Sequence, residues 1–158
     1  MISVIITNYN KDKFLLKNLK SLKKSIFKNF EIILFDDAST DNSLNIIKKF
    51  NKIKLLKNKK KKFKAPALNQ INGIINSLKY AKGDIICFLD SDDYFSKYKL
   101  NIIYKFFKKN ENFKSVYNFP KANKKKFIFK EKSNKNIWPT IFPTSCISIR
   151  KEILRKII

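Results

Sequence analysis

Two short apolar runs, Ile-Ile-Leu-Phe at 32–35 and Ile-Ile-Cys-Phe-Leu at 85–89, each end abruptly in carboxylates, Asp36-Asp37 and Asp90-Ser91-Asp92-Asp93. Runs of this length and composition read as buried β-strands, and in open α/β sheets ligands bind just beyond the carboxyl ends of such strands. The two clusters hold five of the chain's twelve acidic residues, in a protein of formal net charge +24. Carboxylates this close resist joint ionisation unless a metal, a Lys or Arg, or hydrogen-bond donors compensate. The pattern therefore predicts an anion site completed by something positive.

Around these runs, apolar and polar segments alternate in a βα rhythm, which predicts an α/β fold with a mostly parallel sheet and helices on both faces. The first strand is expected at 2–6, followed by a helix over 13–26 whose Phe14, Leu15, Leu19, Leu22 and Ile26 form a one-sided apolar stripe, with Asp12 as its cap. A second strand is expected at 30–35, then a helix through Leu44, Ile47 and Phe50 capped by Asp41 or Ser43, and a short strand at 53–56. The lysine-rich stretch 57–64 reads as a loop. Pro66 suits the first turn of a helix running to about 79, because its missing N–H has no intrahelical partner there. Beyond the second acidic cluster, a helix is expected at about 98–110, strands at 115–119 and 145–149, half a hairpin at 127–129, an irregular segment around Trp138-Pro139 and Phe142-Pro143, and a helix from Lys151.

With 158 residues and no low-complexity linker, the chain is expected to form one domain over 1–158. Its 44% hydrophobic content, with only two glycines and four prolines, excludes collagen-like, loop-dominated and disordered classes. The 36 Lys and Arg would attract polyanions, but they are scattered along a chain rich in Lys, Asn, Ile and Phe, the mark of an AT-rich coding sequence, so no specific nucleic-acid partner is expected. Cys87 falls in an apolar run far from Cys146 and there is no histidine, which supports neither a zinc site nor a disulfide framework and fits a reducing, cytoplasmic setting. No apolar run approaches the roughly 20 residues of a membrane span. Any membrane contact is expected to be peripheral, at the inner face of the cell membrane.

Three strand ends supply polar side chains: Thr7-Asn8-Tyr9-Asn10, the segment from Asp36 to Asp41, and the segment from Asp90 to Asp93. Together they offer an aromatic ring for stacking on a base, carboxylates to accept from base N–H or ribose hydroxyls, and oxygen ligands for a hard cation. Mg²⁺ and Mn²⁺ bind through one or two carboxylates plus substrate phosphates, keeping several waters. That combination describes a nucleotide-diphosphate site.

The stretches Ser3-Val-Ile-Ile-Thr-Asn-Tyr-Asn10, Glu31-Ile-Ile-Leu-Phe-Asp-Asp-Ala-Ser-Thr-Asp41 and Gly83-Asp-Ile-Ile-Cys-Phe-Leu-Asp-Ser-Asp-Asp93 resemble, in order and spacing, three successive blocks of the family 2 glycosyltransferases. The resemblance extends to about Asn110 and, more faintly, through Cys146-Ile-Ser-Ile-Arg-Lys-Glu-Ile-Leu154. It implies a Rossmann-like GT-A fold and transfer of a sugar, with inversion, from a nucleotide-activated donor of UDP-sugar type to a glycan, lipid or protein acceptor, in cell-surface polysaccharide or glycoconjugate synthesis. By position, it implies that Thr7 and Tyr9 frame the donor base, Asp37 accepts a hydrogen bond from it, Asp90 faces the ribose, and Asp92 holds Mg²⁺ or Mn²⁺, with Asp36 and Asp93 as supports.

Two departures and one gap accompany the match. Leu68 stands where the family commonly carries an arginine between Ala67 and Asn69, and Ala38 replaces a frequent glycine, a mild change only where the backbone avoids positive φ. An inverting displacement needs a carboxylate base within reach of the acceptor hydroxyl. Glu111, Glu131 and Glu152 lie in no matching motif, so the resemblance places the base beyond Ile158 and the chain as the N-terminal portion of a catalytic domain. The alternatives are a catalytically inactive, truncated donor-binding module and a basic polyanion-binding protein.

Overall fold

The structure, a computed structural model, describes residues 1–118 and 144–157. The expected hairpin at 127–129, the segment around Trp138-Pro139 and Phe142-Pro143, and Glu131 lie outside the described residues.

The described chain builds one six-stranded sheet from β1 (Ile2–Asn8), β2 (Phe30–Asp36), β3 (Ile53–Lys57), β4 (Ile85–Asp90), β5 (Ser115–Tyr117) and β6 (Ile147–Arg150), in the order β3-β2-β1-β4-β6-β5. The first four strands are parallel, β6 runs antiparallel to β4, and β5 runs antiparallel to β6. This is the mostly parallel sheet that the βα rhythm predicted, with the Rossmann-like arrangement that the family resemblance implied. The strand order reverses beside β1. The chain steps outward from β1 to β2 and β3, then crosses back to place β4 on β1's other side, and ligands bind at such a switch point.

Period-two alternation sorts the strand residues onto two cores. Val4, Ile6, Leu34 and Leu89 pack on one face against α1 (Asp12–Lys23), α2 (Ser43–Lys48) and α4 (Lys99–Lys109). Ile5, Ile33, Ile86 and Phe88 pack on the other against Leu78, at the end of α3 (Pro66–Leu78), and Leu154 of α5 (Lys151–Ile157). Gly83 lies where the chain crosses β1 so closely that a Cβ would sit 2.5 Å from the Ser3 backbone nitrogen. No helix among the described residues is long and apolar enough to cross a membrane.

Several boundaries differ from the sequence reading. α1 stops at Lys23 rather than 26, because the Ile26 N–H is drawn to the Lys97 carbonyl and the Ser25 hydroxyl to that of Phe27. Asp12 lies inside α1 rather than capping it. The capping carboxylate belongs to Asp41, which accepts the Asp12 N–H at 2.9 Å and the Ser43 N–H at 3.0 Å, so one side chain holds the first turns of two helices. Residues 144–146 form a 3-10 turn before β6 instead of strand. Ala38 takes φ 60°, the left-handed region, so the condition under which its replacement of glycine would be harmless is not met.

Candidate functional site

At the carboxyl ends of β1 and β4, where the strand order reverses, Thr7 pairs with Asp90 in register, and Asn8 pairs with Asp36 of β2 on the other side. The register alone converges the three polar segments. A cleft of about 460 Å³ opens there, and its walls include Thr7, Tyr9, Asp37, Asp90 and Asp92, the five residues singled out in the sequence. Its size is within the ordinary range for small-molecule sites.

Each side chain has a different setting. Tyr9 is 39% exposed, and the Lys61 ammonium lies 3.4 Å from its ring centroid, a cation–π contact on the ring face. Asp37 is buried, and one of its oxygens accepts from Asn58 Nδ2 at 2.8 Å. Asp36 does not line the cleft. Its carboxylate is consumed by Asn8 Nδ2 at 2.8 Å, the Ser39 hydroxyl at 2.7 Å and the Ser39 N–H at 2.9 Å, which fixes the turn after β2.

Asp90 is half-buried, and its Oδ1 accepts from Gln70 Nε2 at 2.8 Å. Burial pushes its carboxyl up to about 6; the neighbouring Asp93 and Asp92 carboxylates add to the effect and hydrogen bonding opposes it. A carboxyl so placed gains from any donor or cation that enters the cleft. Asp92 stands exposed at the rim, its Oδ2 2.7 Å from the Lys11 ammonium.

Several supporting residues were not legible as functional. Asn18 falls on the buried side of α1, and its Nδ2 donates at 2.8 Å to the carbonyls of both Asp90 and Asp93, tying the acidic turn to the helix. A polar residue within an apolar stripe was the available signal. The Asp90 N–H is accepted by the Ser145 hydroxyl at 2.8 Å, and Gln70 also reaches the Thr144 hydroxyl at 3.4 Å, so the turn before β6 braces the end of β4. Lys99 holds that turn by donating to the Ser145 carbonyl and to Asn118 Oδ1; burial lowers its pKa below the ordinary lysine value. Leu68, at the position where the family resemblance expects arginine, is exposed and absent from the cleft wall, whereas Gln70 and Asn69 are part of it.

The donor set favours hard cations and hydrogen-bonding ligands. Asn8 lines the cleft with its Oδ1 buried and without a partner among the described residues, an acceptor left for a ligand N–H or hydroxyl. No group of three or more acidic, His or Cys side chains is arranged as a metal cage among the described residues. The arrangement still fits Mg²⁺ or Mn²⁺, which takes one or two carboxylate oxygens and completes its shell from phosphate and water. Of the carboxylates lining the cleft, Asp92 is the exposed one.

The family described as Glycosyl transferase family 2 matches residues 3–158. Among curated relatives, the uncharacterized glycosyltransferase RC0461 of Rickettsia conorii is 36% identical over 152 residues, covering 94% of this chain and 24% of the relative. The poly(ribitol-phosphate) beta-N-acetylglucosaminyltransferase TarS of Staphylococcus aureus is 35% identical over 97 residues, covering 60% of this chain and 17% of TarS. A crystal structure of TarS residues 1–349 in complex with UDP superposes with TM-score 0.78 at 26% identity, covering 98% of this chain and 48% of that one. A mannosyltransferase of Pyrobaculum calidifontis, solved with GDP-Man and Mn²⁺, shares the fold with TM-score 0.73 at 17% identity, covering 99% of this chain and 46% of that one. The chain thus spans about a quarter or less of these curated relatives and under half of the solved chains.

Proposed function

We propose a donor-binding role for this chain, which belongs to glycosyl transferase family 2. The cleft binds the nucleoside diphosphate of an activated sugar, with UDP as its nucleotide, and the enzyme transfers the sugar with inversion to an acceptor in glycopolymer or glycoconjugate synthesis. The supporting observation is the convergence of Thr7, Tyr9, Asp37, Asp90 and Asp92, from three strand ends, on one cleft. The UDP complex of TarS, in a chain of the same fold, favours UDP.

In this reading Tyr9 stacks on the base, with Lys61 withdrawing from the ring face, and Thr7 borders the same position. Asp37, already oriented by Asn58, accepts from the base, and Asp90, held by Gln70, accepts a ribose hydroxyl. Asp92 would hold Mg²⁺ or Mn²⁺, which when bound neutralises charge building on the departing diphosphate. Lys11 lies beside the same carboxylate, so the pair it forms with Asp92 has to open as the cation and diphosphate enter. Transfer itself requires a base at the acceptor hydroxyl. The carboxylates lining the cleft, Asp37, Asp90 and Asp92, all have donor-side roles in this reading, and the base is assigned beyond the described residues.

Calorimetry tests this directly. UDP should bind in the presence of Mn²⁺, and Asp92→Ala should abolish the metal-dependent part. Binding indifferent to both the metal and the substitution rejects the reading. Donor hydrolysis by the purified chain would separate an active transferase from a donor-binding module without turnover.

A further inference from the structure

We infer that the outer face of α1, together with the segment between β4 and α4, is a docking surface for an anionic lipid bilayer. Lys13, Lys17 and Lys20, with Lys24 just past the end of the helix, recur at helical spacing on the side of α1 opposite its buried residues, Leu15, Leu19 and Leu22. With Lys97 they line a groove of about 640 Å³ whose wall contains no acidic residue. None of the five forms an ion pair among the described residues. Like charges at this spacing repel one another. The cluster is therefore charge-complementary to an anion that the described residues do not supply.

Charge alone would suit any polyanion, and a protein of net charge +24 offers lysines everywhere. What distinguishes this face is the apolar material set among the lysines. Leu16 and Tyr94 line the groove, and Phe14, Ile26, Tyr98 and Ile102, on or next to the same two segments, are exposed; these are six of the twelve large apolar side chains exposed among the described residues. Hydrogen bonding of the Ile26 N–H to the Lys97 carbonyl joins the two segments into one surface. The lysines also ride on the aromatic rings, Lys17 at 3.9 Å from the Tyr94 centroid and Lys97 at 4.9 Å from that of Tyr98. Cations interleaved with tyrosine and aliphatic side chains match the headgroup boundary of a bilayer, where amphipathic rings settle and lysine meets phosphate. A soluble polyanion has no use for the apolar part.

The placement ties docking to the donor cleft. Tyr94 follows the acidic turn at Asp92-Asp93, and Lys13 lies two residues from Lys11 at the cleft's rim. Seating this face on a membrane keeps the acidic turn, which lines the cleft through Asp92, near the headgroups. The docking surface does not depend on which nucleotide the cleft takes.

Co-sedimentation with vesicles tests it. The chain should partition onto phosphatidylcholine vesicles containing about one third phosphatidylglycerol and not onto phosphatidylcholine alone. Lys17→Glu/Lys20→Glu should weaken that partition about tenfold or more, whereas Lys79→Glu/Lys82→Glu, an equal change of net charge at the α3 end on the opposite face of the sheet, should change it less than about twofold. Leu16→Ser/Tyr94→Ser should weaken it at raised salt, where the ionic part is screened. Equal losses from both charge reversals would overturn the inference in favour of net charge. Full binding by the Leu16→Ser/Tyr94→Ser variant, or a preference for soluble polyglycerol phosphate over vesicles, would overturn it in favour of a polyanion. Circular dichroism of each variant checks that the fold is retained.

Discussion

The Lys11 ammonium lies 2.7 Å from Asp92 Oδ2 at the rim of the cleft, each side chain about two-fifths exposed. A divalent cation seeking that carboxylate must first displace the lysine. Exposed pairs of this kind hold weakly, so the competition is mild. Lys11→Met should therefore raise the affinity for Mn²⁺ alone by a factor of about two to five, read from Mn²⁺ titration without nucleotide. A fall in affinity would show that Lys11 supports the metal position instead of competing for it.

Gln70 Nε2 donates to Asp90 Oδ1 at 2.8 Å, and even with this bond in place burial holds that carboxyl up at about 6. Without the amide, Asp90 loses both its orientation and a share of the hydrogen bonding that favours its charged form. Gln70→Leu should weaken UDP binding by about tenfold, the effect of one lost hydrogen bond to a charged group. Calorimetry with uridine should register the same loss, because the contact proposed for Asp90 is to the ribose. A loss confined to UDP would move Asp90 from the sugar to the phosphates.

Position along the chain explains what was legible beforehand. Thr7, Tyr9, Asp37, Asp90 and Asp92 were readable because each lies at or just past the end of an apolar strand, and parallel strands of one sheet bring those ends to a single edge. Asn18, Gln70, Thr144 and Ser145 were not, because their roles are long-range hydrogen bonds spanning 20 to 75 residues, of which the local pattern carries no more than the polar break Asn18 makes in its apolar stripe. The helix cap was misplaced for the same reason. Asp12 stands where a local cap belongs, but Asp41, 29 residues later, supplies the oxygen.

Ala38 carries φ 60° in the turn after β2. An L-residue with a Cβ is disfavoured there by roughly 1–2 kcal/mol, and part of that returns on substitution by glycine, whose unfolded chain is more flexible. Ala38→Gly should therefore stabilise the fold by about 0.5–1 kcal/mol in urea unfolding. No gain would mean that the turn relaxes around alanine in solution.

Cys87 is fully buried beside the Ser148 hydroxyl, and burial raises its thiol from the ordinary value of 9.0 to about 11. Since the folded value lies above the unfolded one, this contribution is complete below about pH 9 and is lost as pH rises through about 11. The whole effect is at most about 3 kcal/mol. Unfolding free energies of the native chain and Cys87→Ala should differ by a constant below pH 9 and converge above it. Loss of lysine charge is common to both proteins and cancels in the comparison. Parallel curves through pH 11 would show that Cys87 ionises freely in the folded state.

Gly73 sits on α3 directly beneath the cleft, and a Cβ there would come 2.8 Å from Phe35 Cδ1 and 3.0 Å from Thr7 Cγ2. Both neighbours are cleft residues, so the absence of a side chain lets the helix approach closely enough for its own Asn69 and Gln70 to complete the wall. In Gly73→Ala the better helix propensity of alanine favours the helix by about 1 kcal/mol, while the forced contact costs about 1–3 kcal/mol. The overlap is with side-chain atoms, which can move, whereas at Gly83 a Cβ would strike the Ser3 backbone. Gly73→Ala should therefore change stability little and instead displace Phe35 and Thr7 into the cleft, weakening UDP binding by about tenfold or more. Gly83→Ala should do the reverse, lowering the melting temperature sharply, with the remaining folded protein binding UDP normally. If Gly73→Ala bound UDP as well as the native chain, the close approach of α3 would not be what shapes the donor site.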